Sequence, residues 1–312
     1  MPAATPYVSW IGHGAASLAP PGVFTGVTGH SFFFRASKQA MQEMVDRFLN
    51  VPAQGKAHYT VIGPLALATF MDYEKCTSGV DRIGWVPGRE CGLWVPLWER
   101  TGLLSLRLVM WSPYIYIDYT IGMLTGREVW GWSKVWGRIA LPGDTPGATA
   151  FSCATTTFTP MAPETKGVLG PLFAVTSKGA MPAGLAAVTE PGRAFEQFLA
   201  KLLHEGDPAP EGMSFLPQAH AVALKQVRDS LDPEVAVYQA VCDSPLKITG
   251  FHSFCFLEAD GFQLEITTCD SHRIAQDFLG QAPTGPTTVL PIEWAMKAEV
   301  DFQALPGKVI AP

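Results

Sequence analysis

Charge is what this 312-residue chain has least of: Asp, Glu, Lys and Arg together make up 16% of it, with a net charge of −6. A chain so short of cations lacks the basic patch that holds a phosphate backbone, which excludes nucleic acid as a partner. Uninterrupted apolar runs are missing too. None reaches about 18 residues, because Glu99, Arg100 and Arg107 break the best candidate, so no membrane span is expected. Met1 to Pro21 lacks the basic start, apolar centre and cleavage site of a secretory leader. The expectation is a soluble, cytoplasmic protein. No Cys-x-x-Cys pair occurs among Cys76, Cys91, Cys153, Cys242, Cys255 and Cys269, which are expected to be reduced and mostly buried. His252 with Cys255, and Cys269 with His272, have loosely ligand-like spacing. Their surroundings read as strand and two good ligand pairs are not present, so no metal is expected. There is no Gly-x-Gly-x-x-Gly after a strand and no Gly-Lys-Ser/Thr, hence no support for a nucleotide cofactor. Gly-x-Ser-x-Gly and His-Glu-x-x-His are absent as well, which removes serine hydrolase and zinc protease readings.

What is present is apolar and punctuated. Hydrophobic residues are 47% of the chain, ample for a large core. The 30 Gly and 26 Pro are spread along it, favouring a turn-rich, β-dominated fold over a helical bundle. Strands are predicted around Ser31 to Arg35, His58 to Val61, Ala66 to Met71, Leu93 to Trp98, Leu103 to Met123 (bent or split at Pro113) and Ala148 to Thr159. Ser37 is the predicted N-cap of a helix whose Met41, Met44, Val45, Phe48 and Leu49 form one apolar stripe. Pro191 to Gly206 reads as a second helix, with Phe195, Phe198, Leu199, Leu202 and Leu203 on its apolar face. A weaker helix is predicted from Gln218 to Ser230. Phe254 to Glu258, Ala-Asp-Gly and Phe262 to Thr267 carry a hairpin signal.

The stretch that carries chemistry is Gly126 to Gly137, Gly-Arg-Glu-Val-Trp-Gly-Trp-Ser-Lys-Val-Trp-Gly, just beyond a long apolar strand. Trp130, Trp132, Lys134 and Trp136 share one parity and would face one way if extended; in a helix Trp130 would still lie four residues before Lys134. Either way an amine sits among indoles. Full burial lowers a lysine pKa by up to roughly 3–5 units, whereas a cation over an indole gains roughly 0.5–2 kcal/mol. Complete burial therefore favours the neutral, nucleophilic amine that condenses with a ketone or aldehyde, and partial burial leaves an ammonium reaching for water.

Gly126-Arg127-Glu128, the aromatic Trp132, Lys134 and Gly137 resemble the active-site signature of the acetoacetate decarboxylase family: Gly-Arg-Glu, a hydrophobic spacer, an aromatic, usually Pro, then Lys. Tyr114-Ile-Tyr-Ile-Asp118 is similar to the strand that leads into it. Glu90-Cys-Gly-Leu-Trp-Val-Pro96 is similar to the family's Glu-x-Gly segment. Lys247-Ile-Thr-Gly and Leu257 to Thr268 continue the match, so the resemblance runs from about His30 to Phe302 around a poorly matched stretch between about Pro160 and Leu231. The chain departs from the pattern at Val135, where a second lysine is common, and at Ser133, where proline is usual. It also departs at Val27 or Thr28, where an arginine is expected, and at Phe70, near which an earlier glutamate falls; Asp72 and Glu74 are close enough to replace that acid.

The resemblance implies an α+β fold dominated by a strongly curved antiparallel sheet, cone- or barrel-like, with a few covering helices. It implies one domain over residues 1–312 with a helical or loop insert at about 160–231, and a homo-oligomer. It implies a Schiff-base lyase that needs no cofactor, with Lys134 as the nucleophile and Glu90 moving a proton or orienting a small carbonyl or keto-acid substrate. Trp130, Trp132, Trp136, Arg127, Glu128 and Tyr116 are the expected pocket residues. The reaction stays open between decarboxylation of a β-keto acid and aldol or dehydration chemistry on pyruvate-like or aldehyde substrates. A protein that binds ligand on the same fold without turnover is the third possibility.

Overall fold

The computed structural model describes residues 6–8, 17–102, 105–177, 184–205 and 219–311. β1 (Gly22–Arg35) carries Phe32, Phe33 and Phe34 in succession, all without exposed surface. Successive strand residues point to opposite faces, and Phe32 and Phe34 accordingly join one core cluster while Phe33 joins another. Both faces of this strand are therefore covered, each ring contributing roughly 1.5–3 kcal/mol. The chain then leaves the sheet. Ser37 Oγ accepts the Ala40 N–H at 3.2 Å and starts α1 (Lys38–Val45), which continues through a π-helical turn (Asp46–Asn50) into α2 (Val51–Ala53). Met41, Val45 and Leu49 of the predicted stripe are fully buried.

Next come β2 (His58–Val61), β3 (Leu65–Ser78), β4 (Val86–Thr101) and β5 (Ser105–Ile117). The irregularity expected at Pro113 is a bulge: the register against β4 slips between Leu93 and Val95, and Ser112 Oγ donates to the Leu93 carbonyl at 2.7 Å. A proline has no N–H for the ladder, and a bulge is where a sheet tolerates that. The strand stops at Ile117 instead of reaching Met123, giving way to α3 (Thr120–Thr125) and a π-helical turn (Gly126–Trp130). β6 (Lys134–Trp136), β7 (Arg138–Ala140), β8 (Phe151–Thr157), β9 (Val168–Ser177) and α4 (Pro191–Glu205) follow. Gly206, the expected end of the last of these, lies outside the described residues.

The weaker helix predicted over Gln218 to Ser230 is instead a strand, β10 (Ala219–Arg228). Its Ala, Leu, Lys and Gln content favours helix, but pairing along its whole length with β11 (Ala236–Leu257) overrides local preference. A one-turn 3₁₀ segment (Ala259–Gly261) leads to β12 (Phe262–Thr267), then α5 (Ile274–Leu279), β13 (Thr287–Ala304) and β14 (Lys308–Ala311). The predicted hairpin does not form: β11 and β12 pair not with each other but with two different stretches of β13, residues 295–304 and 287–291. The 3₁₀ turn makes a corner between them.

The sheet order is β14-β11-β10-β5-β4-β3-β1-β13-β12-β9-β8-β7. Because β11 also pairs with β13, the strands β11, β10, β5, β4, β3, β1 and β13 close into a ring, which leaves no free edge among them. The sheet is mixed, not purely antiparallel. β5 runs parallel both to β10 and to β6. β9 and β10, from the stretch expected to be an insert, are members of this order. Among the described residues no helix is long and apolar enough to cross a membrane.

Candidate active site

β5 separates two environments. Tyr116 lies in an aromatic core with Phe70, Phe151 and Phe173, whereas its neighbour Ile115 packs with Phe24, Val27, Tyr73, Trp130 and Trp132. Lys134 is placed beside the second group. The end of β5 is tied to β4 by Asp118, whose carboxylate accepts the Arg89 N–H at 2.8 Å. α3 and the π-helical turn then bring the chain back, so that β6 lies alongside β5 with Lys134 opposite Ile115. The return is tight at Gly131, whose φ of 78° is in the left-handed region that favours glycine. Trp132 N–H donates to the Gly126 carbonyl at 3.0 Å, and Arg127 Nη1 donates to the Lys134 carbonyl at 3.1 Å. Ser133 Oγ reaches the carbonyls of Ser112 and Pro113 at the bulge. The lysine backbone is thus fixed on both sides.

Its side chain runs across Gly126. A Cβ there would come within 2.5 Å of Lys134 Cδ and 2.8 Å of Cε, which gives the glycine of Gly-Arg-Glu a physical reason. Nζ ends 2.5 Å from Glu90 Oε2, with the two side chains 3% and 6% exposed. Oε2 makes this ion-pair contact without a hydrogen bond of normal geometry. Nζ also lies 4.8 Å from the Trp132 ring, which stacks on Trp130 at 4.7 Å, and Trp130 Nε1 donates to the Leu305 carbonyl at 2.8 Å. Lys134 is among the residues that line a small cavity of about 20 Å³, room for about one water molecule. Leu18, Phe24, Cys76, Tyr119, Trp130 and Lys134 are among its lining residues, and Lys134 is the one charged member. Leu18 closes it from the N-terminal side. Its N–H donates to Thr125 Oγ1 at 2.9 Å, and the adjacent Ser17 Oγ donates to Glu128 at 2.7 Å.

The uncharged groups here stay uncharged. Burial, then the nearby Glu90 charge, pushes the Tyr73 phenol well above the ordinary tyrosine range. Burial and then the Cys76 thiol do the same to Tyr119. The Cys76 thiol is raised by burial, against the opposing influences of Tyr119 and Lys134.

Of the residues expected at this site, the structure brings together Lys134, Glu90, Trp130 and Trp132. Arg127 is exposed and acts on the lysine backbone; Glu128 is exposed and accepts from Ser17. Tyr116 belongs to the opposite core. Trp136, the last residue of the three-residue strand β6, is 41% exposed. Neither acid considered as a replacement reaches the cavity: Asp72 is 3.6 Å from Arg89 and Glu74 is exposed. At the arginine position, Val27 is buried and Thr28 half-buried. Tyr119, Cys76, Tyr73 and Leu18 were not anticipated. Among the described residues no group of three or more His, Cys, Asp or Glu side chains is placed to hold a metal, and the six cysteines are free thiols.

No protein of curated function matches the chain by sequence. Several solved structures share its fold. Acetoacetate decarboxylase from Legionella pneumophila is 12% identical with a TM-score of 0.62, over 99% of this chain and 93% of that one. A second acetoacetate decarboxylase structure is 12% identical with a TM-score of 0.58, over 94% and 90%. The enduracididine biosynthesis enzyme MppR, complexed with the condensation product of pyruvate and imidazole 4-carboxaldehyde, is 13% identical with a TM-score of 0.55, over 100% and 99%. The sequence model of the family described as acetoacetate decarboxylase matches residues 1–158, half of the chain and the half that contains Glu90, Gly126 and Lys134. The chain belongs to the acetoacetate decarboxylase family, a family of lyases.

Proposed function

We propose that the protein is a Schiff-base-forming lyase that decarboxylates a small β-keto acid on Lys134. The observation that carries this reading is a buried amine 2.5 Å from a buried carboxylate, beside a cavity with otherwise uncharged walls. Glu90 takes a proton from the ammonium, and the freed amine adds to the substrate ketone. Loss of water leaves a cationic imine. When the carbon–carbon bond to the carboxylate breaks, its electron pair moves into the imine and carbon dioxide departs, giving an enamine. Protonation at carbon and hydrolysis release the ketone and restore the lysine. Uncharged walls assist the breaking step, because a carboxylate held without a cation is destabilised relative to a transition state whose charge spreads into the imine. The Trp132 face near Nζ accommodates the positive charge throughout. Arg127 positions the lysine backbone.

A second reading keeps the imine and changes its fate to aldol condensation, retro-aldol or dehydration on a pyruvate-like or aldehyde substrate. One observation favours it: MppR, of the same fold, is described with a condensation product of pyruvate and imidazole 4-carboxaldehyde. We also place the protein in the cytoplasm as a homo-oligomer. The exposed apolar side chains of Val227, Leu231, Val235 and Val237, around the turn from β10 to β11, support a contact between subunits that light scattering would register.

Borohydride trapping tests the chemistry. The chain and its Lys134→Ala variant are incubated with acetoacetate, a longer β-keto acid, pyruvate or an aldehyde, reduced, and mapped by intact mass and peptides. An adduct on Lys134 that vanishes in the variant, with carbon dioxide released from a β-keto acid, is the expected result. Labelling by pyruvate or aldehyde without carbon dioxide release favours the second reading. No adduct from any carbonyl between about pH 5 and 9 leaves a non-catalytic binding protein.

A further inference from the structure

We propose that Tyr119 is a catalytic residue: its hydroxyl holds the substrate's carbonyl oxygen while Lys134 attacks the carbonyl carbon, an inference that rests on the imine reading above. The ring of Tyr119 fills a slot made by two glycines. A Cβ at Gly88 would fall 2.1 Å from that ring and one at Gly122 would fall 2.3 Å from it, so β4 and α3 grip it from two sides. The grip leaves the ring little freedom, and it aims the hydroxyl into the interior, where the oxygen is buried beside the Cys76 thiol without a hydrogen bond of normal geometry. Tyr119 and Lys134 line the same cavity.

Packing explains the ring but not its oxygen. Phenylalanine would fill the slot equally well and leave no buried hydroxyl resting against a thiol, a weak partner. The other two hydroxyls on this cavity are engaged with backbone: Thr77 donates to the Gly84 carbonyl and Thr125 accepts the Leu18 N–H, each at 2.9 Å. Thr77 has spent its donor, whereas Thr125, which only accepts, and Tyr119 each keep an O–H for a ligand, and Tyr119 is the one whose ring is held in a fixed slot. A ketone oxygen fits its hydroxyl, because the walls are otherwise uncharged and mostly apolar and Lys134, whose amine attacks the carbonyl carbon, lines the same void.

The step balances. The Nζ lone pair forms the nitrogen–carbon bond, and the carbonyl π pair moves onto oxygen, where the Tyr119 O–H stabilises the developing negative charge. Glu90, protonated by the ammonium, gives that proton to the oxygen and, again a carboxylate, takes one from the nitrogen. Glu90 then returns this second proton to the hydroxyl, the carbon–oxygen bond breaks, the oxygen leaves as water, and the nitrogen lone pair closes the cationic imine. Tyr119 keeps its proton.

The test is the rate at which borohydride-reducible adduct accumulates on the full chain with pyruvate and with acetoacetate, in wild type and in Tyr119→Phe. The ring and its two glycine contacts remain in this variant, so its melting temperature is expected to match wild type, while adduct formation slows on the order of 100-fold and still maps to Lys134. A folded Tyr119→Phe protein that labels at the wild-type rate overturns the proposal and leaves the lysine reading standing. A wild-type protein that labels with no carbonyl overturns both. Fluorotyrosines of graded acidity at position 119 keep the ring and hydroxyl and alter donor strength, which serves should the phenylalanine variant not fold. A labelling rate that rises with the acidity of the phenol supports the assignment, and a rate indifferent to it refutes it.

Discussion

Replacing Gly126 with alanine adds one methyl group, and the structure says where it goes. The new carbon would sit 2.5 Å from Lys134 Cδ and 2.8 Å from Cε, against about 3.4 Å for ordinary contact, so the lysine stem must retreat by about 1 Å. The far end of that stem cannot follow freely, because Nζ is held against Glu90. A misplacement of about 1 Å at a reacting atom costs on the order of 100-fold in rate. Stability moves much less. Gly126 has φ −59° and ψ −43°, ordinary right-handed helical values, where alanine is favoured over glycine by about 1 kcal/mol. Overpacking costs about 1–3 kcal/mol. The net destabilisation is therefore between about 0 and 2 kcal/mol, a few degrees of melting temperature at most. Borohydride labelling of Lys134 and a thermal melt, run side by side on Gly126→Ala, separate the two effects. Labelling at the wild-type rate would refute the reasoning, since it would mean that the lysine reacts from a position other than the one lying across Gly126. A collapse in stability with the residual folded fraction fully active would refute it from the other side.

Glu90→Gln leaves the Lys134 ammonium buried without its counter-charge; losing one partner of a buried pair costs about 3–5 kcal/mol, so urea unfolding should show a loss of that size together with loss of labelling. Full activity in this variant would exclude Glu90 from proton transfer. His30, on β1 against the Phe151 ring, has its imidazole pKa lowered from 6.5 to about 4 by burial and then by the Lys297 charge, with Glu299 opposing. The unfolded chain therefore takes up this proton first as pH falls. Stability is complete above pH 6.5 and declines toward pH 4, by up to about 3 kcal/mol, and His30→Phe should flatten that part of the profile in urea titrations at stepped pH. An unchanged slope in the variant would assign the acid sensitivity elsewhere. Leu18→Ala removes a wall of the lysine cavity and should raise labelling by a longer β-keto acid relative to acetoacetate, for a stability loss near the low end of the roughly 2–5 kcal/mol expected of a buried leucine. An unchanged ratio between the two acids would mean that substrate enters by another route.

The amine and its carboxylate were legible in the sequence because each sits in a short contiguous motif and the strand between them is strongly apolar. The α1 stripe and the start of α4 were legible for a similar reason, since cap and period lie within a few residues. Tyr119 was not. Its place depends on Gly88 and Gly122 meeting around one ring, and nothing local marks two glycines from different elements as a slot. Tyr116, expected at the site from the resemblance of its strand, faces the other core because β5 has a core on each face, and Trp136, which shares parity with Lys134, lies exposed at the end of β6. β10 was misread because its own residues prefer helix and its partners are distant. The β11–β12 corner was misread because a three-residue turn between two strands says nothing about a third strand, β13, that claims both.

The ring of strands also sets an order of events in time. β1 is made first, yet its pairing from Gly22 to Phe34 is with residues 292–304 of β13, and β11 closes the ring through that same strand. Contacts so far apart in the chain are slow to form. During synthesis Lys134 and Glu90 both emerge long before β13 exists. The indole that backs the site, Trp130, has its N–H anchored to Leu305, just past the closing strand. A nascent chain thus holds Lys134 and Glu90 without the wall that shelters them, and on the proposed imine reading reactivity toward carbonyls should appear only when the last strand is in place.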